Sequence, residues 1–314
     1  MSGVFINLLT DFGFKRIFGT EENKHLLMDF LNQQIPNQTI VELDYLPTEN
    51  KGDLADDRAA IFDLHCKTAD DEYVLIEVQR GYQENFKDRS IYYSSCAIQK
   101  HARKGKWDYQ LPKVYTICLM EFCFQPIHKQ KLITHMQLCD VETGNVFYDK
   151  IRFIYVQLPL FTKSLDMVDN RLEKWLFLLQ KLQHLQKDVV EDNFVEPLFR
   201  EVVHLAEVVN MTKEQKLGYD ASWKRYNDYH NTIDYAKKAG LQKGIEIGRQ
   251  QGIEQGRQEG IEQGMQKGRL EGKREGEWEN KIAIAKNMLA KDLYISLVSE
   301  VTGLSVEEVR KLQE

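Results

Sequence analysis

Ile61-Phe-Asp-Leu-His-Cys-Lys-Thr68 and Tyr73-Val-Leu-Ile-Glu-Val-Gln79 are two apolar runs joined by the polar Ala69-Asp-Asp-Glu72. Short runs of this kind, rich in β-branched and aromatic residues and separated by a brief polar break, predict a hairpin of strands at 59–68 and 73–79. Each strand carries one acid among apolar neighbours. Asp63 sits among Ile61, Phe62, Leu64 and Cys66, and Glu77 among Val74, Leu75, Ile76 and Val78. An ionised carboxylate in such a setting is costly unless it meets a partner. Strand residues two apart share a face, so Glu77 and Gln79 point together, and Asp63 on the neighbouring strand can join them. Two carboxylates from adjacent strands, with backbone carbonyls, suit a hard divalent cation such as Mg2+. A cation so held activates water and neutralises charge on a reacting phosphate. The same residues also permit a second reading, a buried ion-pair network with Arg58, Lys67 or Arg80. His65 falls on the Asp63 side by alternation and is a weaker candidate for the site.

Outward from the hairpin, the periods change in order. On the N-terminal side, three-and-four spacing of Phe14, Ile17, Phe18, Leu26, Leu27, Phe30 and Leu31 predicts a helix over 11–34, with Thr10 or Asp11 as its cap and Pro36 as its stop. A strand at 39–46 and an acidic loop at 47–58 follow. On the C-terminal side, a helix is predicted at 83–104, then strands at 113–124, 132–140 and 150–158, the last two separated by the turn Glu142-Thr-Gly-Asn145. This order gives an α/β domain with a mixed sheet. After Pro159 the pattern is helical throughout, with segments at 169–185, 192–209 and 212–238, the last anchored by Trp223, Tyr226 and Tyr229.

In this context the chain resembles the PD-(D/E)xK nuclease superfamily, and within it the recombination-promoting, transposase-related nucleases. Three strings carry the resemblance: Thr10-Asp-Phe-Gly-Phe-Lys-Arg-Ile-Phe-Gly19, the pair Ile61-Phe-Asp-Leu-His65 and Ile76-Glu-Val-Gln79, and Arg89-Ser-Ile-Tyr-Tyr93. It spans roughly residues 5–160 and implies a restriction-endonuclease-like αβββαβ core. It further implies a Mg2+-dependent DNA endonuclease, with Asp63 and Glu77 as metal ligands and Gln79 in the place of the superfamily's usual lysine. The charge that lysine would supply then falls to Lys15 or Arg89. Asp11 is either a further metal ligand or acid–base group of the catalytic set, or a plain helix cap. The alternative function is a non-catalytic DNA-binding or regulatory oligomer on a degenerate nuclease core.

Composition limits the classes of function. With 42 Lys and Arg against 48 Asp and Glu, the net charge of −6 excludes a polycationic surface, so DNA contact requires a local patch. One such patch is Arg80, Lys87, Arg89, Lys100, Arg103, Lys104 and Lys106, set against only Glu84 and Asp88. It suits phosphate contact, although a solvated helix face would look the same. Arg89, Tyr92 and Tyr93 also read as helix-face packing. No apolar run reaches the roughly 18–20 residues of a membrane span, and Met1-Ser-Gly-Val-Phe-Ile-Asn7 lacks the basic start of a signal peptide. Cys66, Cys96, Cys118, Cys123 and Cys139 are odd in number and contain no CxxC. They are expected as buried thiols in a reducing cytoplasm.

The last quarter differs in kind. Glycine occupies every fourth position from Gly240 to Gly276, ten in all, with Ile245, Ile253 and Ile261 between them. In a helix interior each glycine costs about 0.8–1 kcal/mol against alanine. The ladder is therefore either a lone or transiently paired helix or a flexible linker. Acids and bases between Gly240 and Lys281 balance at eight each, which suits self-association through this tail. Ser305 with Glu308 has the spacing of a capping box, in a pair of helices resembling half of a helix-turn-helix, though the acids Glu300, Glu307 and Glu308 fit protein contact better than DNA. The expected division is a nuclease-like core at 1–160, a helical region at 161–239, the ladder at 240–280 and a small helical element at 281–314.

Overall fold

The computed structural model describes residues 3–36, 39–50, 60–101, 110–126 and 129–313. Thr10 starts helix α1, Asp11–Phe18, by accepting a hydrogen bond from the Gly13 N–H at 3.0 Å. Periodicity predicts one helix to residue 34, but two form. Gly19 caps α1, and a polar turn at 20–23 precedes α2, Lys24–Gln34. The Asn23 amide donates to the Arg16 carbonyl at 2.8 Å and pins that turn.

The strands are β1 Leu43–Tyr45, β2 Glu49–Asn50, β3 Ala60–Ile61, β4 Leu64–Thr68, β5 Tyr73–Gln79, β6 Val114–Met120, β7 Ile133–Cys139 and β8 Val146–Gln157, with helix α3, Phe86–His101, between β5 and β6. Six of them form a mixed sheet in the order β1-β4-β5-β6-β8-β7. The central β5–β6–β8 run is parallel, and β1, β4 and β7 pair antiparallel. The predicted first strand of the hairpin is broken. β3 pairs with β2 in a separate ribbon, and the chain bends at Asp63 before β4 begins. At the far hairpin, Asp140 Oδ1 accepts from the backbone of Glu142 and Thr143, and Gly144 takes φ +73°, a conformation that favours glycine.

Alternation then sorts the sheet into two faces. Leu64, Cys66, Val74, Ile76, Ile117, Leu119, Ile154 and Val156 join the main core. Helices α1, α2, α4 (Arg171–Lys181) and α6 (Pro197–Ala206) contribute to the same core, and α5, Lys187–Asn193, adds Val190. The fully buried Trp175 of α4 lies with its ring centroid 5.3 Å from those of Phe18 and Phe199. The opposite face carries Leu75 and Val114 beneath Cys96 and Ala97 of α3, and Cys118 and Met120 beneath Phe86. Of the cysteines, Cys66, Cys96 and Cys118 are buried free thiols; Cys123 is half-buried and Cys139 exposed, which corrects the expectation for those two.

Helix α7 runs without interruption over Lys213–Leu289, so the stretches at 212–238 and 240–280 belong to one element. The chain divides into two units, Met1–Ile233 and Asp234–Glu314. Within the second, the ladder residues are exposed, and a methyl group built on any of the ten glycines would have nothing within 4 Å. At its end Ala285 packs with Val298 of α8 (Ile295–Thr302) and Val309 of α9 (Val306–Lys311). Gly303 closes α8 at φ +67°, and Ser305 and Glu308 form the reciprocal capping box. Among the described residues, no helix is long and apolar enough to cross a membrane.

Candidate active site

The β4–β5 register ends with Leu64 opposite Ile76, and continued one step it would set Asp63 opposite Glu77. Residues opposed across an antiparallel pair project to the same face. At the bend, Asp63 gives up ladder pairing, and its Oδ2 accepts from the Val78 N–H at 2.6 Å. This bond fastens one carboxylate to the backbone of the strand that carries the other.

Glu77 is 8% exposed, and its Oε1 is buried without a hydrogen-bond partner. Burial, and then the charge of Asp63, push its carboxyl up to about 8, and Arg89 opposes the shift. Burial also raises Asp63, against the Val78 N–H and with a further contribution from the Asp11 charge. Two neighbouring carboxylates that resist ionisation, one with an unsatisfied oxygen, fit a divalent cation: it would satisfy the oxygen and cancel the repulsion. Among the described residues no cluster of three or more His, Cys, Asp or Glu side chains could hold a metal. Among the described residues this pair is what the site offers, and backbone, water or substrate would add further oxygens.

Gln79 lies on the same face, 7% exposed, and both ends of its amide are engaged. Nε2 donates to the Gly81 carbonyl at 3.0 Å, and Oε1 accepts from Arg89 Nη2. Arg89, on α3, also donates from Nη1 to Gln83 Oε1 at 2.8 Å and lies over the rings of Phe86 and Tyr93. Its Nη2 is 3.9 Å from Glu77 Oε2. A fixed guanidinium therefore stands beside Glu77, presented by the glutamine.

The remaining candidates are placed differently. Lys15 pairs with Asp11 at 2.8 Å on the half-exposed surface of α1, and both charges act on Asp63. Thr10 is the helix cap, so Asp11 is not needed for that role. His65 is buried under α3, with Nδ1 3.2 Å from the Pro47 carbonyl and its ring beside Phe62. Lys67 pairs with Asp71, away from the carboxylates. Arg80 turns inward over the Tyr226 ring, 5.2 Å from its centroid, and Lys87 lies 4.7 Å over the Phe124 ring. Arg58, Arg103, Lys104, Lys106 and the side chain of Lys100 lie outside the described residues.

Sequence reading missed a second set of residues. Glu121 follows β6, and its N–H donates to the Gln79 carbonyl at 3.0 Å. Its carboxylate accepts from the Tyr226 hydroxyl of α7 at 2.6 Å and faces His230 at 3.7 Å. Burial raises the Glu121 carboxyl, and the Tyr226 bond and His230 oppose this. The detectable signal was an acid directly after a predominantly apolar strand. A cleft of about 630 Å3 opens between α1 and α7 and is lined by Asp11, Lys15, Arg16, Ser222 and Arg225 among others. Another cavity of about 600 Å3, lined from α5 and α6, contains none of the site residues.

A family model described as PD-(D/E)XK nuclease family transposase matches residues 8–236. Comparison with curated proteins and with solved structures finds no match.

Proposed function

This chain belongs to the PD-(D/E)XK nuclease family of transposases, and from that premise we propose that it is a divalent-metal-dependent DNA endonuclease that hydrolyses phosphodiester bonds in a recombination-related role. The observation that carries this reading is the neighbouring pair Asp63 and Glu77, with Asp63 tied to the Val78 N–H and Glu77 Oε1 buried and unpaired. These two residues would hold the cation, Mg2+ by the hardness of the donors. When bound, that ion supplies Lewis acidity and a more acidic water.

The other groups have work of their own. Arg89 fixes a positive charge next to Glu77, where an approaching phosphate would accumulate negative charge. Gln79 aims that guanidinium, so it replaces a lysine by presenting a cation rather than by carrying one. Lys15, with Asp11, contributes at the rim on α1. We assign DNA contact to the Arg80–Lys106 segment and the cleft beside α1, the core topology to the restriction-endonuclease-like class, and self-association to the glycine-bearing part of α7.

A supercoiled-plasmid nicking assay tests the reading. With Mg2+ the full-length protein should convert supercoiled to open-circular or linear DNA, and a chelator should stop it. Arg89→Ala should slow conversion by about a hundredfold, the loss typical of one preorganised charge stabiliser. DNA binding without cleavage under any divalent ion would favour the non-catalytic alternative.

A further inference from the structure

We propose that Tyr229 of helix α7 is a positioning residue of the active site: packed on Gly81, it holds the corner that aims Gln79 and, through it, Arg89. The inference rests on the nuclease reading of the carboxylate pair. It extends that reading to a helix distant from the hairpin in the chain.

The corner begins where β5 ends. Gly81 is buried, and its carbonyl accepts the Gln79 Nε2–H. That bond sets the amide so that Oε1 faces Arg89. The Tyr229 side chain occupies the space a larger residue would need at position 81. A methyl group there would collide with the Tyr229 hydroxyl and lie 2.9 Å from its Cζ. No left-handed backbone conformation calls for glycine at this position, so close approach of the ring is the reason for it.

Tyr229 does not act from a loose element. Tyr219, Trp223 and Tyr226 form a stacked series along α7, with ring centroids 6.2 and 5.4 Å apart, and His230 lies tilted against Tyr226 at 4.4 Å. Tyr219 accepts from the Asn7 N–H at 3.1 Å, and Ser222 from the Phe12 N–H at 3.2 Å. Tyr226 binds Glu121, whose own N–H holds the Gln79 carbonyl. The ends of β5 and β6 are thus tied to one rigid face of α7. If the corner shifts, the glutamine amide turns, and the Arg89 charge leaves Glu77.

Steric complementation in the full-length protein tests this. Gly81→Ala should slow plasmid nicking by about 10- to 100-fold, the scale set by ångström-level misplacement of a catalytic group. In a Tyr229→Ala background, the same Gly81→Ala change should alter the rate less than about twofold. Arg89 side-chain NMR gives a readout independent of metal and activity. Its guanidinium protons should be protected from exchange in the wild type, exposed in Gly81→Ala, and insensitive to Gly81→Ala once Tyr229 is alanine. Equal losses from Gly81→Ala in both backgrounds, or an unchanged Arg89 signal in the single variant, would overturn the assignment. If the wild type fails to nick DNA, the nuclease reading falls, and the Arg89 signal alone decides the positioning of the corner.

Discussion

Asp63→Ala and Glu77→Ala should each reduce plasmid cleavage by at least about a thousandfold while leaving DNA affinity within about threefold of wild type. The first expectation follows from the cation's place in the chemistry, since losing a ligand removes several kcal/mol of transition-state stabilisation. The second follows because affinity comes mainly from phosphate contacts with basic side chains, not from the carboxylates. Folding should survive in Glu77→Ala. The substitution removes a buried acid whose Oε1 has no partner and relieves its repulsion with Asp63. Asp63→Ala loses the bond from the Val78 N–H and should lower the melting temperature by a few degrees. Gel-shift, melting and nicking assays on the same preparations separate these effects. A variant that unfolds, or that loses DNA binding in step with cleavage, would point to a structural ion network instead.

Metal-free protein should become less stable as pH rises from about 5 to about 8, and Mg2+ should reverse the loss. Glu77 shifts from an ordinary value of 4.5 to about 8 in the folded chain, chiefly through burial. Between those values the folded state holds a proton that the unfolded state has released. Unfolding then releases a proton, so stability is fully present below the lower value and falls as pH climbs through the window. The expected loss is on the order of 3 kcal/mol. Glu77→Gln should flatten the profile, because an amide has no proton to surrender. Cation binding should tighten across the same interval, since the ion competes with that proton. Melting temperatures at pH 5, 6, 7 and 8, with and without Mg2+, measure all three. A profile of the same slope in wild type and Glu77→Gln would remove Glu77 as the source.

The hairpin was legible because its alternation is strong and its two acids are conspicuous in apolar strands. The family needed two further strings, at 10–19 and 89–93, and the mixed α/β sheet came from the order of elements on both sides of the hairpin. The bend at Asp63 was not legible: Ile61 and Phe62 continue the apolar run, and only the bond between Asp63 and the Val78 N–H marks the departure. The break after Gly19 had a local signal in its polar turn, but the apolar spacing on both sides outweighed it. Sequence left Lys15 and Arg89 level as sources of the missing charge. Tertiary structure places them differently, with Lys15 paired to Asp11 and Arg89 held at Gln79. Tyr226 and Tyr229 were visible as anchors, but what they anchor was not. Their partners, Glu121 and Gly81, lie more than a hundred residues away, and no periodicity encodes such a meeting.

Helix α7 also carries a consequence in time. Near Ser222 it is held by stacked rings and long-range hydrogen bonds, so its amide protons there can exchange with solvent only when that packing opens. From Gly240 to Gly276 the residues are exposed, and a methyl group on any of the ladder glycines would meet nothing within 4 Å beyond the helix's own backbone. In the monomer, amides there should be released by local fraying at a rate close to that of an isolated helix, and self-association would slow them. One continuous element therefore keeps two clocks, slow at its start and fast through its glycines. A trypsin-like protease would find Lys243, Arg249 and Arg257 in the fast stretch. It would cut there first, and the packed end made by Ala285, Val298 and Val309 would come away intact.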